Sequence, residues 1–194
     1  MFVVVCKRLI IIVYCCLNWL RMTFHIETER LILRELRLSD LDGMFELDSN
    51  PLVHKYLGNK PVKTKKESRQ IIESVLKQYQ ERGIGRWAAI EKSSQSFIGW
   101  TGLRLNTEYN MNGFTKYYDV GYRLIPKFWG IGYATESGKA AIDYAFNQLK
   151  LPQLYATTEI NNQASHQVLL KLGLRYLEDF YFEQEQLNLR WYLI

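Results

Sequence analysis

The stretch that most constrains this chain is PKFWGIGYATES, at 126–137, where two glycines stand at the start of a predicted helix. The strand-like run YYDVGYRLI (117–125) precedes it, and Pro126 ends that strand. Helix N-termini usually carry Ser, Thr, Asp or Asn as caps. Gly130 and Gly132 at this place therefore indicate bare backbone N–H groups, an arrangement that binds anions at the positive end of a helix.

The glycine spacing alone does not decide which anion is bound. The loop lacks the Gly-Lys-Ser/Thr sequence of a Walker loop. It also lacks the third glycine of the dinucleotide fingerprint, which would fall at Thr135. From these residues alone, a phosphate or pyrophosphate loop and a tight strand-to-helix turn both remain open.

The charge of the chain argues against nucleic acid as a partner. The formal net charge is +5, but Lys7, Arg8 and Arg21 lie in a leading segment, 1–21, that holds no acidic residue. Without those three, 22 basic residues face 20 acidic ones, and no basic run with interleaved aromatic residues follows. We therefore expect no nucleic-acid partner.

The cysteines are confined to the same leading segment, at Cys6, Cys15 and Cys16. A disulfide framework and a cysteine metal site are thus excluded for the rest of the chain, and a cytoplasmic location is predicted. His25, His54 and His166 lie far apart and show no paired spacing, so we expect no metal.

The leading segment is predicted to lie outside the fold. Its apolar run, Leu9 to Leu17, is short against the ~20 residues that span a bilayer, and no small-x-small cleavage site follows it. We expect translation to start at Met22, with residues 22–194 forming one domain. A membrane anchor and a folded extension are the alternatives, so no membrane partner is expected unless 1–21 is genuine.

The order of the elements predicts an α/β (α+β) fold. Hydrophobic periodicity and turn residues give β-α-α-β-β-β-α-β-α-β-β, which is a mixed sheet of about seven strands with helices on both faces. The longest helices are expected at about 66–82 and 133–149, and a further helix at 162–172.

Three blocks of the chain resemble one family. The segment DVGYRLIPKFWGIGYATES is similar to the acyl-CoA-binding segment of the GNAT superfamily of N-acetyltransferases, whose usual pattern is Arg/Gln-x-x-Gly-x-Gly/Ala. Lys127 holds the Arg/Gln place. TERLILREL (28–36) and NNQASHQVLLKLGL (161–174) resemble further blocks of the branch that includes ribosomal-protein N-terminal acetyltransferases. The resemblance covers about 26–185, in the correct order.

The resemblance implies a mostly antiparallel twisted sheet that is splayed at its central strands, with acetyl-CoA as the co-substrate. Coenzyme A would place its pyrophosphate on the N–H groups of Gly130 to Ala134, with Lys127 adding a charge-assisted contact. A backbone N–H near Leu124 would stabilise the oxyanion. The cofactor contacts implied are Leu124, Ile125, Pro126, Lys127, Trp129, Gly130, Ile131, Gly132, Tyr133, Ala134, Thr135, Asn162, Ser165 and Lys171.

Two side chains are the catalytic candidates. Asp119 lies where the branch often carries a glutamate, and it is expected to take the amine proton directly or through water. A strand-edge residue or a cap is the alternative, and Tyr118 and Glu108 are weaker candidates. Many family members place a Tyr seven residues after the Asn, but that position is Leu169.

We therefore expect Ser165 to hydrogen-bond the departing thiolate, with Asn162 holding the pantetheine arm. The alternative is a helix cap at Asn162 and an ordinary first turn at Ser165.

The resulting hypothesis is an N-acetyltransferase that moves acetyl directly to a primary amine in a ternary complex. The amine is a protein N-terminus, a polyamine, a drug or a small amine. Because the predicted domain has no cysteine, it lacks the obvious thiol nucleophile for a covalent route. A catalytically weak acyl-CoA-binding sensor or scaffold, and a nucleotide-phosphate binder unrelated to coenzyme A, are the competing hypotheses. A monomer or a homodimer is expected.

Overall fold

A computed structural model describes residues 24–194, so the leading segment and the expected start at Met22 lie outside the described residues. The helices are α1 (Leu41–Asp48), α2 (Pro51–His54), α3 (Lys65–Arg82), α4 (Tyr133–Asp143) and α5 (Gln163–Lys171). The strands are β1 (His25–Glu27), β2 (Leu31–Glu35), β3 (Trp87–Glu91), β4 (Phe97–Asn106), β5 (Tyr117–Leu124), β6 (Tyr155–Glu159), β7 (Arg175–Phe182) and β8 (Leu187–Leu193).

The strands form one open sheet in the order β1-β2-β3-β4-β5-β6-β8-β7. All neighbours are antiparallel except β5 and β6, which are parallel. The predicted mixed, mostly antiparallel fold is confirmed. The sheet has eight strands rather than about seven because β1, which pairs His25 with Arg34, is only three residues long. Three residues are too few to show an alternating pattern.

The two long helices illustrate how the sequence sets element ends. Thr64 caps α3 by accepting a hydrogen bond from the Glu67 N–H, and Gly83 closes the helix in the left-handed region at φ 70°. By contrast, the regular part of α4 ends at Asp143, and Tyr144–Gln148 winds as a π-helical turn. The predicted helix at 133–149 therefore changes its winding near its end.

Helices cover both faces of the sheet. On β5, the Arg123 guanidinium reaches the Asp48 carboxylate of α1, with 2.7 Å between Nη1 and Oδ1. The hydroxyl of the preceding Tyr122 reaches Ser165 of α5. Successive side chains of a strand point to opposite faces, so α1 and α5 lie on opposite sides of the sheet.

The core lies against this sheet. The largest fully buried side chains are Trp87, Trp191, Tyr192, Leu31, Leu33, Leu36, Met44, Leu47, Ile72, Ile98, Leu103 and Leu154. Burial of such side chains supplies about 1.5–3 kcal/mol each for the aliphatic residues. Within residues 24–194, no helix is both long enough and apolar enough to cross a membrane.

Candidate active site

A gap opens between β5 and β6. The two strands register only at Asp119 and Tyr155, although β5 continues to Leu124 and β6 continues to Glu159. They are parallel and separate toward their C-terminal ends, so the sheet is splayed where the resemblance implied.

The backbone of Leu124 faces this gap. The Ile125 N–H donates to the Ile98 carbonyl, 2.9 Å away, so the backbone of Ile125 points toward β4. Backbone groups alternate in direction along a strand, and the N–H of Leu124 therefore points the other way. The group predicted to stabilise an oxyanion is thus directed into the space between the strands.

The glycine loop lies between the end of β5 and the start of α4. Gly130 (φ 76°) and Gly132 (φ 93°) both occupy the left-handed region, which side chains other than glycine rarely adopt. Trp129, Gly130, Ile131 and Gly132 are all exposed. The N-terminus of α4 therefore carries a glycine loop that is open to solvent, as the binding of an anion requires. We call this loop, residues 129–132, the glycine cradle.

Trp129 ties the glycine loop to the open edge of β5. Its indole N–H donates to the Leu124 carbonyl at 2.7 Å, although the side chain is 47% exposed. This bond satisfies the one backbone acceptor of Leu124 and leaves the N–H of the same residue facing the gap. Trp129 therefore connects the glycine cradle to the edge of β5 that faces the gap.

Lys127 lies in the 3₁₀ turn Pro126–Phe128 and points toward α1. Its ammonium is 3.0 Å from Glu46 Oε1, and both side chains are at least half exposed. Exposed pairs of this kind contribute about 0–1 kcal/mol to stability. The ammonium is therefore held only weakly in this position.

A second cation, Arg30, lies beside the cradle and was not expected from the sequence. Its Nη1 donates to the Ile131 carbonyl at 2.9 Å, and its guanidinium stacks 4.5 Å from the centre of the Tyr133 ring. A Cβ on Gly132 would lie 3.2 Å from Arg30 Nη2. Arg30 belongs to the TERLILREL block, but no local pattern links that block to the cradle.

The Glu136 carboxylate holds Arg30 in this position beside the glycine cradle. It accepts hydrogen bonds from the Thr28 hydroxyl (2.6 Å), the Arg30 N–H (2.8 Å) and the Arg30 Nε (2.7 Å). Burial alone would raise the pKa of the Glu136 carboxyl, but the hydrogen bonds from Thr28 and Arg30 hold that pKa below its usual value. Two of the three family-like blocks therefore meet at this carboxylate.

The third block supplies Asn162 and Ser165 at the start of α5. The Asn162 side chain accepts from the Ser165 N–H at 3.1 Å, so it caps the helix. The Ser165 hydroxyl lies 3.0 Å from the hydroxyl of Tyr122, a residue that sequence reasoning missed. Leu169 is buried in the core at 2% exposure, and Lys171 is exposed at the last turn of α5.

The remaining predicted cofactor residues flank the cradle. Ile125 is buried in the core, while Tyr133 donates its hydroxyl to Glu91. Ala134 and Thr135 are half-buried in the first turn of α4. Pro126 starts the turn that leads from β5 into the loop. The contacts of these residues with coenzyme A stay predictions.

Asp119 lies in a buried ion-pair network. Its Oδ2 is 2.7 Å from Arg86 Nη2, and its Oδ1 is 3.5 Å from Arg104 Nε. It precedes Leu124 by five residues, which is about 16 Å along a strand at about 3.3 Å per residue. An amine at Leu124 is therefore beyond direct reach. One bridging water spans only about 6 Å, so the role of base, which stays a prediction, requires a chain of several waters.

Gly121 of β5 is explained by the same network. A Cβ on this residue would lie 2.7 Å from Arg86 Nη2, so the glycine makes room for the guanidinium. Of the weaker base candidates, Glu108 pairs with Arg82 at 2.6 Å and Tyr118 is half-buried.

The histidines are separate from one another. His25 contacts Glu27, His54 is buried under α1, and His166 Nδ1 lies 2.7 Å from the Tyr192 hydroxyl. Between residues 24 and 194, no three His, Cys, Asp or Glu side chains come together in a way that could hold a metal ion.

Comparison with known proteins identifies the family and the fold. The profile of the acetyltransferase (GNAT) domain matches residues 30–175. YoaA, an uncharacterized N-acetyltransferase of Bacillus subtilis strain 168, is 29% identical over 150 residues, which cover 77% of this chain and 82% of YoaA.

Two solved structures share the fold. The ribosomal-protein-S5-alanine acetyltransferase of Vibrio fischeri has a TM-score of 0.69 at 16% identity, covering 88% of this chain and 96% of that one. The spermidine N-acetyltransferase of Vibrio cholerae, in complex with CoA and spermine, has a TM-score of 0.67 at 19% identity, covering 85% and 95%. These two likenesses show the fold, and the matched domain shows the family. The chain belongs to the GNAT family of N-acetyltransferases.

Proposed function

We propose that this protein transfers acetyl from acetyl-CoA directly to a primary amine that is bound in the same complex. The observation that carries the proposal is the junction of the glycine cradle with the β5–β6 gap through Trp129, whose indole N–H bonds the Leu124 carbonyl at 2.7 Å. A cradle alone would bind many phosphates, whereas a cradle leading into a gap fits a phosphate attached to a long arm.

The residues present fit coenzyme A in three respects. The left-handed glycines and the N-terminus of α4 offer N–H groups to a pyrophosphate. The gap offers backbone groups of β5 to an extended arm. The paired hydroxyls of Tyr122 and Ser165 lie at the α5 side of β5. Coenzyme A would supply the activated acetyl thioester.

The roles of the protein groups follow from these positions. The Leu124 N–H donates to the thioester oxygen as negative charge develops on it. The Ser165 hydroxyl hydrogen-bonds the departing sulfur, and Asn162 holds both the helix end and the arm. Asp119 accepts the amine proton through a chain of waters, because its carboxylate is too far along β5 for direct contact or for one bridging water.

The acceptor is proposed to be a polyamine or a protein N-terminus. An open cleft of about 470 Å³ lies between the loop after α2 and the end of β6; its lining is Lys55, Tyr56, Gly58, Asn59, Glu159, Asn161 and Leu187. This cleft is the proposed acceptor entrance. The names of the two structural neighbours, which act on spermidine and on a ribosomal protein, support these two classes.

The proposal is tested by measuring thiol release from acetyl-CoA against a panel of amines. The panel contains spermidine, peptides with free Ala and Ser N-termini, an aminoglycoside and an amino-acid amide. We expect release with one class of amine and an equal amount of acetylated product by mass spectrometry. A mixture without amine is the control. Binding of acetyl-CoA with no acetylation of any amine would instead support the sensor hypothesis.

A further inference from the structure

Tyr122 makes a contact that the transfer scheme does not yet use. It stands two residues before Leu124 on β5, and its side chain leaves the sheet toward α5. Its hydroxyl lies 3.0 Å from Ser165 Oγ and 3.3 Å from the Ser165 carbonyl oxygen. The phenol of β5 thus meets the first turn of α5 at the serine expected to face the sulfur.

The remaining hydrogen bonds of Ser165 leave its hydroxyl available. The Asn162 side chain accepts from the Ser165 backbone N–H and does not engage the hydroxyl. Among residues 24–194, the Tyr122 hydroxyl is the one hydrogen-bond partner of Ser165 Oγ. A serine hydroxyl has one hydrogen and two acceptor sites, so a serine that accepts from Tyr122 keeps its own hydrogen for another acceptor.

The phenol has one hydrogen, and its contact with Ser165 Oγ (3.0 Å) is shorter than its contact with the Ser165 carbonyl oxygen (3.3 Å). We propose that Tyr122 is a positioning residue for acetyl transfer: its hydroxyl donates to Ser165 Oγ and orients the Ser165 hydrogen toward the leaving sulfur. This inference rests on the proposed function. Hydrogen bonds in a chain polarise one another, so a Ser165 hydroxyl that accepts from Tyr122 is also a better donor.

The step is balanced without a proton leaving either hydroxyl. The amine nitrogen forms the new C–N bond and releases its proton to the waters that lead to Asp119. The C–S bond breaks, and its electron pair stays on sulfur, where the Ser165 O–H hydrogen-bonds the thiolate. The thiolate then takes a proton from solvent. Burial raises the pKa of the Tyr122 hydroxyl, which keeps it protonated and able to donate across the assay range.

The test is a double-mutant cycle on kcat with Tyr122→Phe, Ser165→Ala and the double variant. Tyr192→Phe is the matched control, because the Tyr192 hydroxyl bonds His166, the next residue of the same helix, at 2.7 Å. We expect Tyr122→Phe to lower kcat about three- to tenfold, the measure of one hydrogen bond, with the acetyl-CoA KM changed by less than about twofold. Tyr192→Phe should leave kcat within about twofold.

The cycle separates positioning from a structural role. If Tyr122 acts through Ser165, the double variant is no slower than Ser165→Ala, whereas a structural loss would multiply the two defects. Multiplying defects, or an unchanged kcat in Tyr122→Phe, would overturn the inference while leaving the acetyltransferase proposal intact. Absence of turnover in the unmodified protein with every amine would overturn both. Thermal unfolding of each variant confirms that it is folded.

Discussion

At the scale of single residues, the two glycines of the cradle have different reasons to be glycine. Gly130 is glycine for its conformation alone, because a Cβ on it would meet no atom within 4 Å. Gly132 combines a left-handed conformation with crowding, since its Cβ would lie 3.2 Å from Arg30 Nη2. The sequence predicted the glycines correctly as a loop before a helix, but it held no sign of the neighbouring arginine.

This difference predicts graded effects of alanine on coenzyme A affinity. A left-handed conformation costs an L-residue about 1–2 kcal/mol, so we expect Gly130→Ala to raise the Kd about five- to thirtyfold. Gly132→Ala should raise the Kd further, because the guanidinium of Arg30 must also move. Isothermal titration with coenzyme A measures both. Equal, wild-type-like affinities would contradict the cradle.

At the scale of elements, the order of helices and strands followed from periodicity, and the splay followed from the family resemblance. Two details did not. The strand β1 was missed because it has three residues, and the π-helical turn Tyr144–Gln148 was missed because its apolar spacing is that of an ordinary helix. Neither detail touches the cradle, the gap or the first turn of α5, which together form the candidate site.

Lys127, in the turn Pro126–Phe128, is predicted to contribute to the binding of coenzyme A. Lys127 is held by an exposed pair with Glu46 and by a contact of its ammonium with the Phe128 ring, 5.3 Å from the ring centre. Exposed contacts of this kind are weak, so the side chain can turn toward a phosphate. Lys127→Ala should raise the acetyl-CoA KM about three- to tenfold and leave kcat within about twofold. At high salt, the KM values of the variant and the unmodified protein should differ less, because salt screens the charge of the ammonium.

Lys77→Ala is the matched control for this change, because Lys77 is also exposed and pairs with a glutamate, Glu81, at 3.5 Å. Steady-state kinetics on the two variants measure the acetyl-CoA KM and kcat of each. A KM that is unchanged in Lys127→Ala would remove Lys127 from the binding site.

At the scale of the whole molecule, the site depends on contacts between distant parts of the chain. Arg30 and Glu136 are 106 residues apart, and Tyr122 and Ser165 are 43 apart. Local patterns predict which element a residue occupies, but they do not say which elements meet. For this reason the glycine loop before α4 was predictable from the sequence, whereas the side-chain contacts that join the three family-like blocks were not.

Buried charge between α1, α2 and β5 predicts how stability depends on pH. His54 is buried, and burial, together with the charge of Arg123, lowers the pKa of its imidazole despite the nearby Asp48 carboxylate. At a pH below about 6.5, the unfolded chain therefore binds a proton at this histidine more readily than the folded protein. The contribution of His54 to the free energy of unfolding is therefore fully present above that pH and decreases as the solution is acidified.

His54→Leu should reduce this acid sensitivity, because leucine cannot bind a proton. We expect the melting temperature of the variant to fall less than that of the unmodified protein between about pH 7.5 and about pH 5.5. Thermal unfolding monitored by circular dichroism at several pH values measures this difference. Parallel curves for the two proteins would show that His54 does not contribute to acid destabilisation.

In the proposed complex, coenzyme A extends from the glycine cradle into the β5–β6 gap and presents its sulfur to Ser165. A crystal structure of the protein with coenzyme A tests it most directly. The account predicts the pyrophosphate on the N–H groups of Gly130 to Ala134, the arm along β5 beside Leu124, and the sulfur within hydrogen-bond distance of Ser165 Oγ. Coenzyme A bound elsewhere, or a sulfur directed away from the Tyr122–Ser165 pair, would contradict it.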